Sequence, residues 1–162
     1  MENNQLKSIA IYEDSQIFAN IAVYSIALQI QRINSDKFEI ADFTMQHFVD
    51  FHFLITALTQ LRNIAETVAE ISGIRADIQV FDDDLSDLRH IRNVLEHIDE
   101  YRLGRGHNQN IAASSTQTYV FGNNVMHYVG YKIDLDVALK ASERLFEAIK
   151  KHPPEGHSPS AD

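Results

Sequence analysis

The spacing of apolar side chains divides the chain into long helical segments. Ile17, Ile21, Tyr24 and Leu28 recur at helical intervals and predict a first helix over roughly 14–33. A polar break, "NSDKFEIADFT", follows it. A second helix is predicted from Thr44, a residue type suited to the N-cap, to the stop signal Ser72-Gly73. Phe51, Leu54, Leu58, Leu61, Ala65 and Val68 form its apolar stripe. A third helix is predicted to begin between Asp77 and Asp84, where aspartates suit the positive end of the helix dipole. It ends near "LGRG", where Gly104 and Gly106 permit a turn. Leu88, Ile91, Leu95 and Ile98 make its core-facing seam.

The pattern then changes period. "TQTYVFGNNVMHYVGY" is rich in β-branched and aromatic residues around a Gly-Asn-Asn turn, and predicts a β-hairpin over 116–131. His127 alternates with its apolar neighbours there and is expected to be half-buried. Asp134 caps a last helix, whose apolar side is Val137, Leu139, Leu145, Phe146 and Ile149. The Pro/Ser/Gly-rich tail, residues 151–162, is expected to be disordered. The expected fold is mainly α: one domain over 1–150, an antiparallel four-helix bundle with a small β-hairpin before the last helix.

Composition narrows the setting. The chain has 162 residues and 44% apolar side chains, enough for one core. It has no cysteine, so disulfides and thiolate metal sites are excluded. "MENNQLK" lacks the basic start of a signal peptide, and the apolar stretch at 17–28 is too short and broken to span a bilayer. A cytoplasmic protein without a membrane partner is expected. The net charge of −9 argues against broad, non-specific nucleic-acid binding but leaves room for a local basic cleft.

Several site types are absent from the sequence. There is no phosphate-binding P-loop, no G-x-G-x-x-G and no G-x-S-x-G. There is no Glu-x-x-His, and Asp87-x-x-His90 alone does not make a di-metal site. His47 and His52 point about 140° apart on one helix and are expected at its surface or core edge. No metal and no cofactor is expected.

The remaining candidate is "LRHIRNVLEHIDEYRLGRGH", residues 88–107. At about 100° per residue, Asn93 and His97 edge the apolar seam on one flank and Arg92 edges it on the other. Its arginines interleave with Glu96, Asp99 and Glu100, which also suits ion pairs on a solvated face. The segment resembles the signature helix of HEPN-domain proteins, in which an arginine, a polar residue and then a histidine follow one another. Arg92-Asn93-Val94-Leu95-Glu96-His97 matches that motif position by position. Arg102 and His107 fit its loose form, but Gly104 and Gly106 put that match in a loop.

The resemblance implies a helical bundle that dimerises through the motif helix, with a composite site at the dimer seam. It implies either a metal-independent endoribonuclease of toxin–antitoxin, defence or RNA-processing type, or a non-catalytic module binding RNA, a nucleotide or protein. Arg92, Asn93 and His97 would then act on the phosphodiester, and Arg89, Arg102 and Arg105 would contact phosphates. The implied partners are a second copy, an RNA and an antitoxin or regulatory protein. The chemistry is coherent: histidine transfers protons near neutral pH, and arginine donates charged hydrogen bonds to phosphoryl oxygens.

Overall fold

A computed structural model of the chain describes residues 2–35 and 45–157. Among these residues the fold is mainly helical, with a small antiparallel sheet before the last helix. The helices are α1 (Glu2–Ile33), α2 (Gln46–Ala69), α3 (Arg75–Asp84), α4 (Leu88–Glu96), α5 (Ile98–Arg102) and α6 (Leu135–Lys151). A 3₁₀ turn, Ala113–Gln117, leads into β1 (Tyr119–Gly122), β2 (Val125–Tyr128) and β3 (Tyr131–Asp134). The expected N-cap Thr44 lies outside the described residues.

The packing of α1 and α2 is the centre of the fold. The stripe of α2 is buried as expected, with Phe51, Leu54, Leu58, Leu61, Ala65 and Val68 all at 0% exposure. The first helix departs from expectation twice. It begins at Glu2, because Tyr12 anchors its early turns: the hydroxyl lies 3.0 Å from the Ile149 and Lys150 carbonyl oxygens at the end of α6. It is also turned about its axis. Its buried face is Tyr12, Ala19, Ala22, Ile26, Ile30 and Ile33, while Ile17, Ile21, Tyr24 and Leu28 face outward. Ala19 and Ala22 sit in the middle of that inner face, where their small size leaves room for α2, and isoleucines pack beyond them.

Arg32 of α1 donates from Nε to Asp50 of α2 at 2.9 Å, and Asp50 is only 2% exposed. Losing the guanidinium strands a carboxylate inside the protein. Arg32→Ala is therefore expected to cost about 2 kcal/mol, and Arg32→Ala/Asp50→Leu to recover most of that loss in urea unfolding.

The expected third helix is three helices. Asp82, Asp83 and Asp84 sit at the C-terminal end of α3, the wrong end for the dipole. Arginines from neighbouring helices offset this: Arg62 grips Asp82 with two hydrogen bonds of 2.7 Å, and Arg144 of α6 pairs with Asp84. The chain breaks between Leu85 and Asp87. There Leu85 and Leu88 both turn inward, and the Asp87 carboxylate accepts the Lys132 backbone N–H of β3 at 3.0 Å. A second break falls at His97, whose φ of −114° and ψ of 27° end α4.

The expected hairpin is a three-stranded meander, β1-β2-β3. Asn123 and Asn124, at φ 51° and 62°, form the first two-residue turn. Val129 and Gly130, at φ 48° and 87°, form the second. His127 is exposed rather than half-buried, on the outer face opposite Val120 and Lys132. Met126, Tyr128 and Ile133 point into the core. Asp134 caps α6 as expected, accepting from the Asp136 and Val137 amides. Of the tail, Glu155 and His157 lie against α1, where His157 meets the Tyr12 ring edge-on at 5.0 Å. Residues 158–162 lie outside the described residues.

Burial pushes the Tyr128 phenol up to about 12, with the charge of Arg102 pulling weakly the other way. An unfolded tyrosine ionises near pH 10. Between these values the unfolded chain has lost a proton that the folded chain keeps. Stability from this residue is therefore full below about pH 10 and lost as pH rises toward 12. Tyr128→Phe is expected to remove that alkaline fall in denaturant titrations.

Candidate functional site

The helix α4 has a buried seam and a polar arc. Leu88, Ile91, Val94 and Leu95 are all less than 10% exposed, consumed by the protomer's own core. The apolar seam of α4 therefore serves the protomer's core, as its spacing predicts, and is not open to a second copy. The polar arc carries the candidate residues, and the helix separates them into two groups.

Arg92 stands on the α2 side. It donates from Nε to Glu96 at 2.7 Å, and its side chain is 43% exposed. It lines a cavity of about 360 Å³ between α2, α3 and α4, together with Arg62, Asn63, Asp82, Ser86 and Arg89. A second hollow of about 200 Å³ shares Arg92, Asn63 and Thr59 and extends to His52. The two hollows form one groove. Two of its arginines are already matched by carboxylates: Arg62 by Asp82 and Glu66, and Arg92 by Glu96. His52 is the groove's histidine, and nothing in the helical spacing of α4 could have placed it there. His47, by contrast, lies part-buried against Phe121.

Asn93 and His97 stand on the opposite side, facing the loop after α5. Two glycines build that loop. The Arg105 amide donates to the Glu100 carbonyl at 2.8 Å and the Gly104 amide to Tyr101 at 3.0 Å, with Gly104 at φ 69°. This is the Schellman closure of a helix, which reverses the chain. Gly106 then rests directly on the Tyr101 ring, where an added Cβ would overlap the ring atoms. Tyr101 is 2% exposed, and its hydroxyl accepts from Asn93 Nδ2 and from the Asn108 amide, each at 3.4 Å.

This reversal brings His107 beside His97, with ring centroids 6.5 Å apart and the planes at 80°. His97 Nδ1 lies 3.3 Å from a Glu100 carboxylate oxygen. His107 also lines a cleft of about 360 Å³, together with His90, Asn93, Tyr101, Asn108 and Tyr131, while His97 stands outside that lining. His90 stacks on Tyr131 at 5.0 Å, and Asn108 Nδ2 donates to the Tyr131 hydroxyl at 3.2 Å. Arg102 and Arg105 are exposed on the segment between the two histidines, and Arg102 lies 3.8 Å from Asp99.

The sequence-derived residues therefore fall in three places: Arg89 and Arg92 in the groove, Asn93 in the cleft, and His97, Arg102 and Arg105 outside the cleft's lining, with His97 against the cleft's His107. Sequence spacing pointed to one histidine here. The second, His107, is visible in the sequence only through the loose Arg102-to-His107 match, and the Gly104/Gly106 turn that sets that match in a loop is what delivers it.

The His97/His107 pair offers two imidazoles for proton transfer, beside a cleft that holds a third, His90, with amide and phenol groups. Among the described residues no three His, Asp or Glu side chains gather closely enough to hold a metal ion. None of the described helices is long and apolar enough to cross a membrane. No family model matches the chain, and no curated protein or solved structure is significantly similar to it.

Proposed function

We propose that the protein is a metal-independent endoribonuclease of HEPN type, with α1, α2, the α3–α5 segment and α6 as its four-helix bundle. The observation that carries this reading is the His97/His107 pair, with ring centroids 6.5 Å apart inside one chain. One imidazole removes the 2′-hydroxyl proton, and that oxygen attacks phosphorus. The other imidazole protonates the departing 5′-oxygen, leaving a 2′,3′-cyclic phosphate on the upstream fragment. Glu100 holds Nδ1 of His97, which leaves Nε2 for the substrate. Asn93, hydrogen-bonded to Tyr101, borders the bound phosphate. Arg102 and Arg105 contact it from the rim, and Arg89 and Arg92 take neighbouring phosphates along the groove.

The HEPN resemblance implies a site shared between two copies. The burial of the α4 seam and the pairing of histidines within one chain favour a site complete in each protomer. Mixing His97→Ala and His107→Ala chains separates these arrangements, because only a shared site regains activity in the mixed dimer.

A second reading, a module that binds RNA without cleaving it, is favoured by the carboxylates already paired with Arg92 and His97 and by the net charge of −9. One experiment divides the two. Single-stranded oligoribonucleotides incubated in EDTA are expected to yield fragments ending in 2′,3′-cyclic phosphate. Intact RNA with salt-sensitive retention on the protein would replace the first reading by the second.

A further inference from the structure

The helix α1 has two apolar faces, and the fold uses only one. On the other, Ile17, Ile21, Tyr24 and Leu28 are 58, 55, 71 and 52% exposed, with Phe18 at 58% and Leu6 at 66%. Isolated apolar side chains are ordinary on a surface, but a contiguous stripe of them marks a contact. The chain carries no charged side chain between Asp14 and Arg32. The polar side chains of that span are uncharged, and of them only Asn20 and Gln31 are exposed, so the outward face is dominated by large apolar groups.

We infer that this face is covered by the same face of a second copy, the two α1 helices lying antiparallel about a twofold axis. The stripe is self-complementary in that arrangement. A register that sets Ile17 level with Leu28 also sets Ile21 level with Tyr24, so each large side chain meets another. The spacing of four, three and four residues is that of a helix–helix seam. Parallel packing would stack Glu13 and Asp14 of the two copies on each other, which antiparallel packing avoids.

The area is also of the right size. The five exposed side chains from Ile17 to Leu28 present on the order of 600 Å² of apolar surface, most of the ~800 Å² each partner buries in a standard interface. A lone monomer rarely leaves so large a patch uncovered. Because α4 packs on α2 rather than along α1, this dimer leaves the His97/His107 pair open in both copies. The inference stands independently of the ribonuclease reading.

Light scattering after size exclusion tests it at tens of micromolar protein. The wild-type chain is expected at twice its own mass. Ile21→Glu/Tyr24→Glu is expected at the single mass with an unchanged far-UV circular dichroism spectrum, since both positions lie outside the core. Register is read by crosslinking, which is clean because the chain has no cysteine. With a short bis-maleimide, Ile17→Cys/Leu28→Cys is expected to give a covalent dimer. Ile17→Cys alone is not, because its two copies lie about 16 Å apart along the axis. A monomeric wild type would overturn the inference. So would a dimer that survives both glutamates, efficient crosslinking of Ile17→Cys alone, or a wild-type monomer that instead sediments with phosphatidylcholine vesicles.

Discussion

His97→Ala is expected to lower RNA cleavage by about 10²–10⁴-fold, the usual worth of a positioned proton-transfer group. The effect follows from where the residue stands. His97 ends α4 and its ring meets that of His107, with Glu100 fixing the orientation of Nδ1. His107→Ala is expected to fall in the same range. The double variant should be little worse than either single one, because two groups serving one transition state are not additive. Glu100→Gln should act through His97, lowering kcat with little change in KM. Arg92→Ala should do the reverse, raising KM and flattening the salt dependence of binding, since it grips phosphate away from the reacting bond. His127→Ala, exposed on the far side of the sheet strand, is the control and should leave cleavage unchanged. Equal activity in wild type and His97→Ala would remove the histidine from the reaction.

Gly106→Ala is expected to cost about 3 kcal/mol, at the upper end of overpacking effects, and to abolish cleavage with it. The new methyl would overlap the buried Tyr101 ring, which cannot swing away without exposing its apolar surface. Tyr101 also holds Asn93 and Asn108 through its hydroxyl. A displaced ring therefore releases the loop that carries His107. Gly104→Ala separates packing from backbone conformation. Nothing surrounds a Cβ there, but the left-handed φ of 69° remains, and the expected cost is about 1 kcal/mol. Urea unfolding of both variants checks the order. A Gly106→Ala protein as stable as wild type would mean that the loop does not rest on Tyr101.

Periodicity read the simplest elements well. The α2 stripe and the Asp134 cap are local signals, and both hold in the fold. The α1 helix shows the limit of the method. Its exposed apolar side chains mark a true helical stripe, but a second apolar stripe, Tyr12, Ala19, Ala22, Ile26, Ile30 and Ile33, takes the core face, so periodicity alone misleads about direction. Helix breaks were harder still. Nothing in "DDDLSD" announces that Asp87 will bind a strand amide 45 residues later. The acidic run looked like a helix start because its compensating arginines, Arg62 and Arg144, come from other helices. The third strand was hidden by Val129, a β-branched residue in a left-handed turn that sequence rules assign to glycine or asparagine.

The site was legible in half. The Arg92-Asn93-His97 spacing located the polar arc of α4, and the opposed flanks of Arg92 and His97 followed from helical angle alone. The partner histidine did not, because its position depends on a Schellman turn, a glycine pressed on an aromatic ring and a kink at His97. Each of these is a tertiary outcome.

The central claim is that two imidazoles of one chain cleave RNA through its own 2′-hydroxyl. The most direct measurement compares two otherwise identical oligonucleotides in EDTA, one all-ribose and one carrying a single 2′-deoxy sugar at the cleaved position. The ribose strand should be cut to a 2′,3′-cyclic phosphate end by wild type and left whole by His97→Ala and His107→Ala, while the 2′-deoxy linkage stays intact throughout. Cleavage of the 2′-deoxy linkage, or a ribose strand that wild type leaves whole, would contradict it.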